Sequence, residues 1–309
     1  MKKTEFSCNN FIKSYQFYAF PLGILATDNI AYENWLLGRF IGVTLGEVLQ
    51  YDEEAYDDWE IVSGKFHKYL IKDDFDILIQ NIINEKNVFH LWGINERYLP
   101  YTSAYQRFDF MHDLLVTGYD GFDKVTIVNY DNNKTLSEKV ISINDLKNSF
   151  TAETHGRSFK ILFDKAIPMD GQKVLDSIKN YLYPSNRFEL KYYNEILNPK
   201  NEMLVGIPAI KKFIKMFEKN VDLPSNINGI CLLNEQKRSI MNSLIYLKKN
   251  KLIKSDICNE YSKIVTFSEQ IKLKYIKYLI VKDKKNVDQI VSIMNKMIND
   301  EIKILNDLF

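Results

Sequence analysis

The sequence predicts an α+β protein with N-terminal helices, a central antiparallel sheet and a helical C-terminal half. Two observations carry this prediction. Residues 108–131 have the pattern of two β-strands joined by a turn, and from residue 171 apolar residues recur at three- and four-residue intervals, as on one face of a helix. The C-terminal helices are expected at 171–183, 207–219, 234–250, 258–280 and 286–309.

The central hairpin is predicted from its two strands and its turn. Residues 114–117 form an unbroken apolar run of the kind found inside a sheet. Residues 125–128 are β-branched throughout, which strongly favours a strand. Gly118, Gly121 and the intervening Asp120 are expected to supply the turn between them, because glycine and aspartate tolerate the positive φ angles of a tight reversal.

This hairpin brings a histidine close to a polar partner. In an antiparallel pair the end of the second strand returns beside the start of the first, so Asn129 or Asp131 should lie near His112. A histidine oriented by an amide or a carboxylate is the base of a nucleophilic triad. The spacing does not decide which of the two polar residues orients it.

The elements around the hairpin follow from local patterns. Residues 8 to about 50 have helical periodicity, interrupted by Pro21, which predicts that helix one begins near Phe17 or bends there. A second helix should begin near Ile30 after a polar cap. Further elements are a helix at 75–83, strands at 88–92 and 158–163, and a helix capped by Ser142.

Composition limits the classes of function. The chain has 309 residues, 46% hydrophobic and 26% charged, which is ordinary for a soluble protein. A formal net charge of +1 argues against nucleic acid as a partner, and no apolar stretch is long enough for a membrane span. The three cysteines are widely spaced, which predicts no disulfide framework, no zinc site and a reducing cytoplasm.

The charge balance changes along the chain, from acidic in the first half to basic between about 237 and 303. This asymmetry predicts two parts, residues 1–170 as the catalytic-type domain and 171–309 as a mainly helical subdomain packed on it.

Cys8 is the candidate nucleophile because it precedes an apolar helical run. A thiol at a helix N-terminus is activated by the helix dipole, and the same free N–H groups can form an oxyanion hole. A cysteine on helix one followed by a histidine and an Asn or Asp on strands is the papain arrangement, in that chain order. Cys231 and Cys258 lie in apolar helical stripes and are predicted to be core residues.

Residues 88–150 resemble one bacterial family, on three motifs: Tyr98-Leu-Pro-Tyr-Thr-Ser-Ala-Tyr105, Met111-His-Asp-Leu-Leu-Val-Thr-Gly-Tyr-Asp120, and the strand that ends at Asp131 before Ile143-Asn-Asp-Leu. This is the papain-like family of the butirosin-biosynthesis acyltransferase N-terminal domain. It is related to bacteriocin leader-processing peptidases and is often associated with nonribosomal peptide gene clusters. One member forms the amide bonds of closthioamide.

The resemblance implies a papain-like fold and a cysteine-dependent acyltransferase of antibiotic biosynthesis. Such an enzyme takes an acyl or peptidyl group from the phosphopantetheine thioester of a carrier protein and passes it to an amine. His112 matches the family histidine, with Asn129 or Asp131 as the third member. The implied partners are a carrier protein and a small amine acceptor, without nucleic acid, membrane, bound cofactor or metal. The oligomeric state, homodimer included, stays open.

The position of the nucleophile is less well matched. Counting back from Ile24-Leu25 puts the family cysteine nearer Gln16 than Cys8. If Gln16 holds that position, the chain has lost the thiol and cannot form an acyl-enzyme; Gln16 could alternatively bind substrate as an oxyanion-hole amide. Alternative functions are a catalytically silent homologue that binds a peptide intermediate or carrier protein, and a cysteine peptidase. The pocket walls are expected to be Tyr98, Tyr101 and Tyr105.

Overall fold

A computed structural model describes residues 2–8, 10–52, 69–70, 75–85, 88–159, 170–184, 204–254 and 256–309. It is an α+β structure in which all of the described strand pairs are antiparallel, as predicted. The described strands are β1 (Lys2–Lys3), β2 (Val43–Leu45), β3 (Leu49–Tyr51), β4 (Tyr69–Leu70), β5 (Val88–Asn95), β6 (Met111–Tyr119), β7 (Lys124–Tyr130), β8 (Leu136–Ser142), β9 (His155–Phe159) and β10 (Leu204–Val205). The described helices are α1 (Gln16–Leu25), α2 (Asn29–Leu36), α3 (Phe75–Glu85), α4 (Ile143–Ser149), α5 (Gly171–Leu182), α6 (Gly206–Lys219), α7 (Asn226–Lys249), α8 (Asp256–Val281) and α9 (Lys284–Asn306).

The chain divides into two compact units. The first contains the described residues of 1–11, 15–32 and 55–167, and the second contains those of 12–14, 33–54 and 168–309. The last segment of the second unit begins close to the expected boundary at 170, whereas 33–54 belongs to the helical unit. Among the described helices, none is both long enough and apolar enough to cross a membrane.

A sheet in the order β4-β9-β5-β6-β7-β8, with β1 beside β6, forms the first unit. Its central pair confirms the predicted hairpin, with Leu115 opposite Val128. Gly118 is not in the turn as predicted; it lies inside β6 opposite Thr126, next to a bulge. Asp120 and Gly121 are in the turn as predicted: the Asp120 side chain accepts hydrogen bonds from the backbone N–H groups of Phe122 and Lys124, and Gly121 has a positive φ of 94°.

One face of this sheet buries the apolar core of the first unit. Leu114, Val116 and Ile127 lie in this core together with residues of α3 and α4. Because side chains alternate along a strand, His112 continues the row of Leu114 and Val116 beyond the buried part of β6. The alternation of β6 therefore carries its histidine to the margin of the core.

The N-terminal helices are confirmed, with one correction. α1 begins at Gln16, next to the predicted start, and continues through Pro21; α2 begins at Asn29, also close to its predicted start. The expectation of helix up to residue 50 is wrong, because 43–45 and 49–51 form β2 and β3. These short runs are buried throughout or nearly so, and a short buried strand cannot be distinguished from a helix segment by periodicity.

The remaining predicted helices are confirmed to within a few residues, except that α7 begins eight residues earlier than expected. The Ser142 cap is confirmed, because its side chain accepts a hydrogen bond from the Asp145 N–H. The strand expected at 158–163 begins earlier, at His155, and its residues from 160 lie outside the described part of the chain.

The helical unit encloses a buried ion pair. Lys237 Nζ lies 2.7 Å from Glu301 Oε2, and both side chains are inaccessible to solvent. The hydroxyls of Tyr181 and Tyr261 donate to the same carboxylate, and Gln236 accepts from Lys237. Burial lowers the pKa of Lys237 against the opposing effect of Glu301. Since a buried charge without partners is costly, these contacts tie α5, α7, α8 and α9 to one arrangement.

We expect Lys237→Met to lower the free energy of unfolding by about 3–5 kcal/mol, because it leaves the Glu301 carboxylate buried without its cation. Urea titration followed by circular dichroism measures the loss. The control is Lys282→Met, which removes a contact of the same length, 2.7 Å, to Asp222 on the surface. The control should lose much less, since water screens an exposed pair; equal losses would contradict the role given to the buried pair.

Candidate functional site

His112 is hydrogen-bonded to a buried carboxylate. Its Nδ1 lies 2.9 Å from Glu96 Oε1, and the side chains are 39% and 6% exposed, respectively. Glu96 follows directly after β5, and Ile94 of β5 pairs with His112. Glu96 therefore lies two residues beyond the partner of the histidine, on the same face and diagonal to it. An ionised carboxylate only accepts hydrogen bonds, so a neutral imidazole in this position donates from Nδ1 and has its lone pair on Nε2.

Two buried amides extend this contact towards α1. Asn129 Nδ2 donates to Glu96 Oε1 over 3.1 Å, and Gln16 Nε2 donates to Asn129 Oδ1 over 2.5 Å. The carboxylate thereby fixes the orientation of both amides. Gln16 is the first residue of α1, and its Oε1 is buried with no hydrogen-bond partner among the described residues. Glu96, His112, Asn129 and Gln16 are called the His112 cluster below.

Asn95 holds the ends of the loop between Glu96 and His112. Its Oδ1 accepts from the backbone N–H groups of Arg97 and Phe110, and its Nδ2 donates to Asp109 over 2.9 Å. The loop therefore leaves and re-enters the sheet at set positions. A site whose supporting groups are locked in this way is preorganised for binding or proton transfer.

Sequence reasoning brought His112 and Asn129 together and missed Glu96. The structure places both predicted residues in the His112 cluster, with Glu96 as the direct partner of the histidine. The predicted strand ends at residue 92, so the sequence pattern did not place residue 96 beside the histidine strand. Glu96 could have been found as an acidic residue that directly follows a strand, if that strand had been expected to pair with the strand that carries the histidine.

Asp131, the alternative orienting residue, does not belong to the His112 cluster. Its carboxylate accepts from the backbone N–H groups of Asn133 and Thr135 in the β7–β8 turn and lies 3.5 Å from Lys139 Nζ. The hydrogen bond from Thr135 is the largest cause that lowers the pKa of Asp131. The reason is that β7 ends at residue 130, so the side chain of residue 131 belongs to the turn and not to the strand.

Cys8 is separated from His112. The backbone N–H of Ser7, the residue before Cys8, donates to the carbonyl of Gly23 in the last turn of α1. Cys8 lines a surface depression with Thr27, just beyond the C-terminal end of α1. Gln16 stands at the opposite end of the same helix, ~15 Å away. The hypothesis that Cys8 is the nucleophile facing His112 does not fit this geometry.

The three predicted wall residues lie on the loop that separates Glu96 from His112. Tyr98 and Tyr101 are exposed, Tyr105 is half-buried, and Lys139 Nζ lies 5.5 Å from the ring centroid of Tyr101. The ring that lies against the histidine is that of Phe110, which sequence reasoning missed; its centroid is 5.1 Å from that of His112.

Comparison with known proteins gives no match, either to family models or to curated proteins. Within the described part of the chain, no group of three or more His, Cys, Asp or Glu side chains is arranged to hold a metal ion. The described site contains a histidine, a buried carboxylate behind it and two ordered amides.

We expect Glu96→Gln to release the His112 ring from its single tautomer, because a neutral amide no longer holds the Nδ1 proton by charge. Nitrogen-15 chemical shifts of the imidazole measure the tautomer ratio. The matched control is Glu138→Gln, which removes a carboxylate paired with Lys3 elsewhere on the sheet. Shifts that are identical in the Glu96 variant and the control would contradict the assignment.

Proposed function

We propose that this chain is a papain-like protein that has lost covalent catalysis and binds a peptide or acyl intermediate non-covalently at the His112 cluster. One observation carries the proposal. Gln16, and not a thiol, occupies the start of α1 and joins the hydrogen bonds that lead through Asn129 and Glu96 to His112.

Covalent acyl transfer requires a nucleophile within hydrogen-bond reach of its base. A carboxamide is not a nucleophile, and the position that faces the cluster from α1 is held by one. Cys8 lies with the other end of that helix. The distribution of residues therefore favours binding over formation of an acyl-enzyme.

The chain order of the cluster supports the papain-like part of the proposal. A helix-one residue, then a histidine, then an asparagine on the following strand is the order in which papain-like sites are assembled, here as Gln16, His112 and Asn129. Glu96 is an addition to that order. By the family resemblance, the bound intermediate would be carried on the phosphopantetheine arm of a carrier protein or would be its amine acceptor.

The test uses a small thioester, the N-acetylcysteamine thioester of phenylacetic acid, and intact-mass spectrometry. Wild type and Cys8→Ala should both remain unmodified at the cluster. Gln16→Cys should accumulate the acyl adduct, because the new thiol stands in the cluster that contains the base. Adding His112→Ala to that variant should slow acylation about 100-fold, the usual contribution of a general base.

The opposite pattern overturns the proposal. If the wild type gains the acyl mass and Cys8→Ala does not, the chain is a covalent acyltransferase that uses Cys8. If Gln16→Cys folds, as judged by circular dichroism, and stays unmodified, Gln16 does not occupy a nucleophile position.

A further inference from the structure

A row of exposed aromatic rings leads to His112. Phe108 and Phe110 are 50% and 44% exposed. The ring centroids of Phe108 and Phe110 are 6.5 Å apart, and those of Phe110 and His112 are 5.1 Å apart. Alternation along the extended chain puts the three rings on one side. Contiguous exposed apolar groups of this kind mark binding sites more often than ordinary surface.

The row is carried by an ordered loop. The hydroxyl of Thr102 donates to the carbonyl groups of Glu96 and Leu99, and the Phe110 N–H is held by Asn95. Tyr101 in the same loop has a positive φ of 77°, a conformation that persists only where surrounding contacts impose it. The loop therefore holds the exposed rings in place before a ligand arrives, which reduces the entropy lost when the ligand binds.

The charge beneath the row is negative when the histidine is neutral. The Glu96 carboxylate is buried, and its partners in the His112 cluster are the histidine and a neutral amide. The cations nearest the row along the loop are Arg97 and Arg107, of which Arg97 lies 3.7 Å from the Asp109 carboxylate. A ligand that donates a hydrogen bond to His112 Nε2 and carries positive charge complements this site, and aromatic faces also attract cations.

We propose that the site binds an amine whose nitrogen donates to His112 Nε2 and whose neighbouring aromatic group packs on Phe110 and Phe108. The class is an arylalkylamine or a peptide that begins with an aromatic residue. This inference rests on the proposed function and names the ligand of the same site.

The probe is 2-phenylethylamine, titrated into the full chain at about pH 8, where an unperturbed histidine is neutral. Calorimetry gives the affinity. Two matched compounds separate the contributions: 3-phenylpropionate keeps the ring and reverses the charge, and ethylamine keeps the charge without the ring. The phenyl amine should bind about 10-fold more tightly than ethylamine, because one aromatic contact typically contributes this much. It should also bind more tightly than 3-phenylpropionate, because the buried Glu96 carboxylate repels a second negative charge.

The variants locate the binding. Phe110→Ala should weaken binding of 2-phenylethylamine about 10-fold and leave ethylamine unchanged, whereas His112→Ala should weaken both amines. The matched control is Phe122→Ala, which removes an 85% exposed ring at the opposite end of the hairpin and should change neither. Phe108→Ala should fall between Phe110→Ala and the control.

Three results overturn the inference: no binding of 2-phenylethylamine, equal or tighter binding of 3-phenylpropionate, or equal affinities in Phe110→Ala and Phe122→Ala. None of them affects the thioester experiment, which tests non-covalent function through Gln16 and Cys8. Conversely, a covalent adduct on wild-type Cys8 would overturn the proposed function. The amine titration would still test by itself whether the site binds an aromatic amine.

Discussion

The buried carboxylate of Glu96 is the constraint on which the rest of the site depends. It can only accept hydrogen bonds, so the groups around it must turn their donors inward: the imidazole its Nδ1–H and Asn129 its amide. The orientation of Gln16 follows from that of Asn129. One charge thus sets the direction of three side chains from three separate parts of the chain, and it directs the remaining histidine nitrogen outward.

The second unit uses a buried carboxylate in a different way. Glu301 is neutralised by Lys237 and by two tyrosine hydroxyls, so its charge is fully satisfied inside the protein. In the His112 cluster the described partners of the carboxylate are the histidine and the Asn129 amide, with no lysine or arginine among them, and the histidine is partly open to solvent. The first arrangement is suited to holding helices together, whereas the second leaves a partner to be supplied from outside.

The evidence for function comes from which side chains meet. A papain-like chemistry was expected from Cys8 and His112, and the hairpin that carries the histidine has the predicted form. The thiol, however, lies beside the C-terminal end of α1, and the residue of α1 that joins the His112 cluster is Gln16. Non-covalent recognition, with the exposed rings of Phe108 and Phe110 as the approach to the histidine, is the function that this distribution favours.

Local pattern was enough to predict the α+β class, the β6–β7 hairpin, the Ser142 cap and most of the helices, because each depends on neighbours within a few residues. It also placed His112 near the end of the second strand, where Asn129 and Asp131 stayed as alternatives, since strand pairing follows from the turn. Tertiary structure decided the rest. Glu96 reaches His112 only through the β5–β6 register, and Gln16 reaches Asn129 across 113 residues of sequence. No local spacing encodes such contacts, because they arise when separate elements pack around a shared charge.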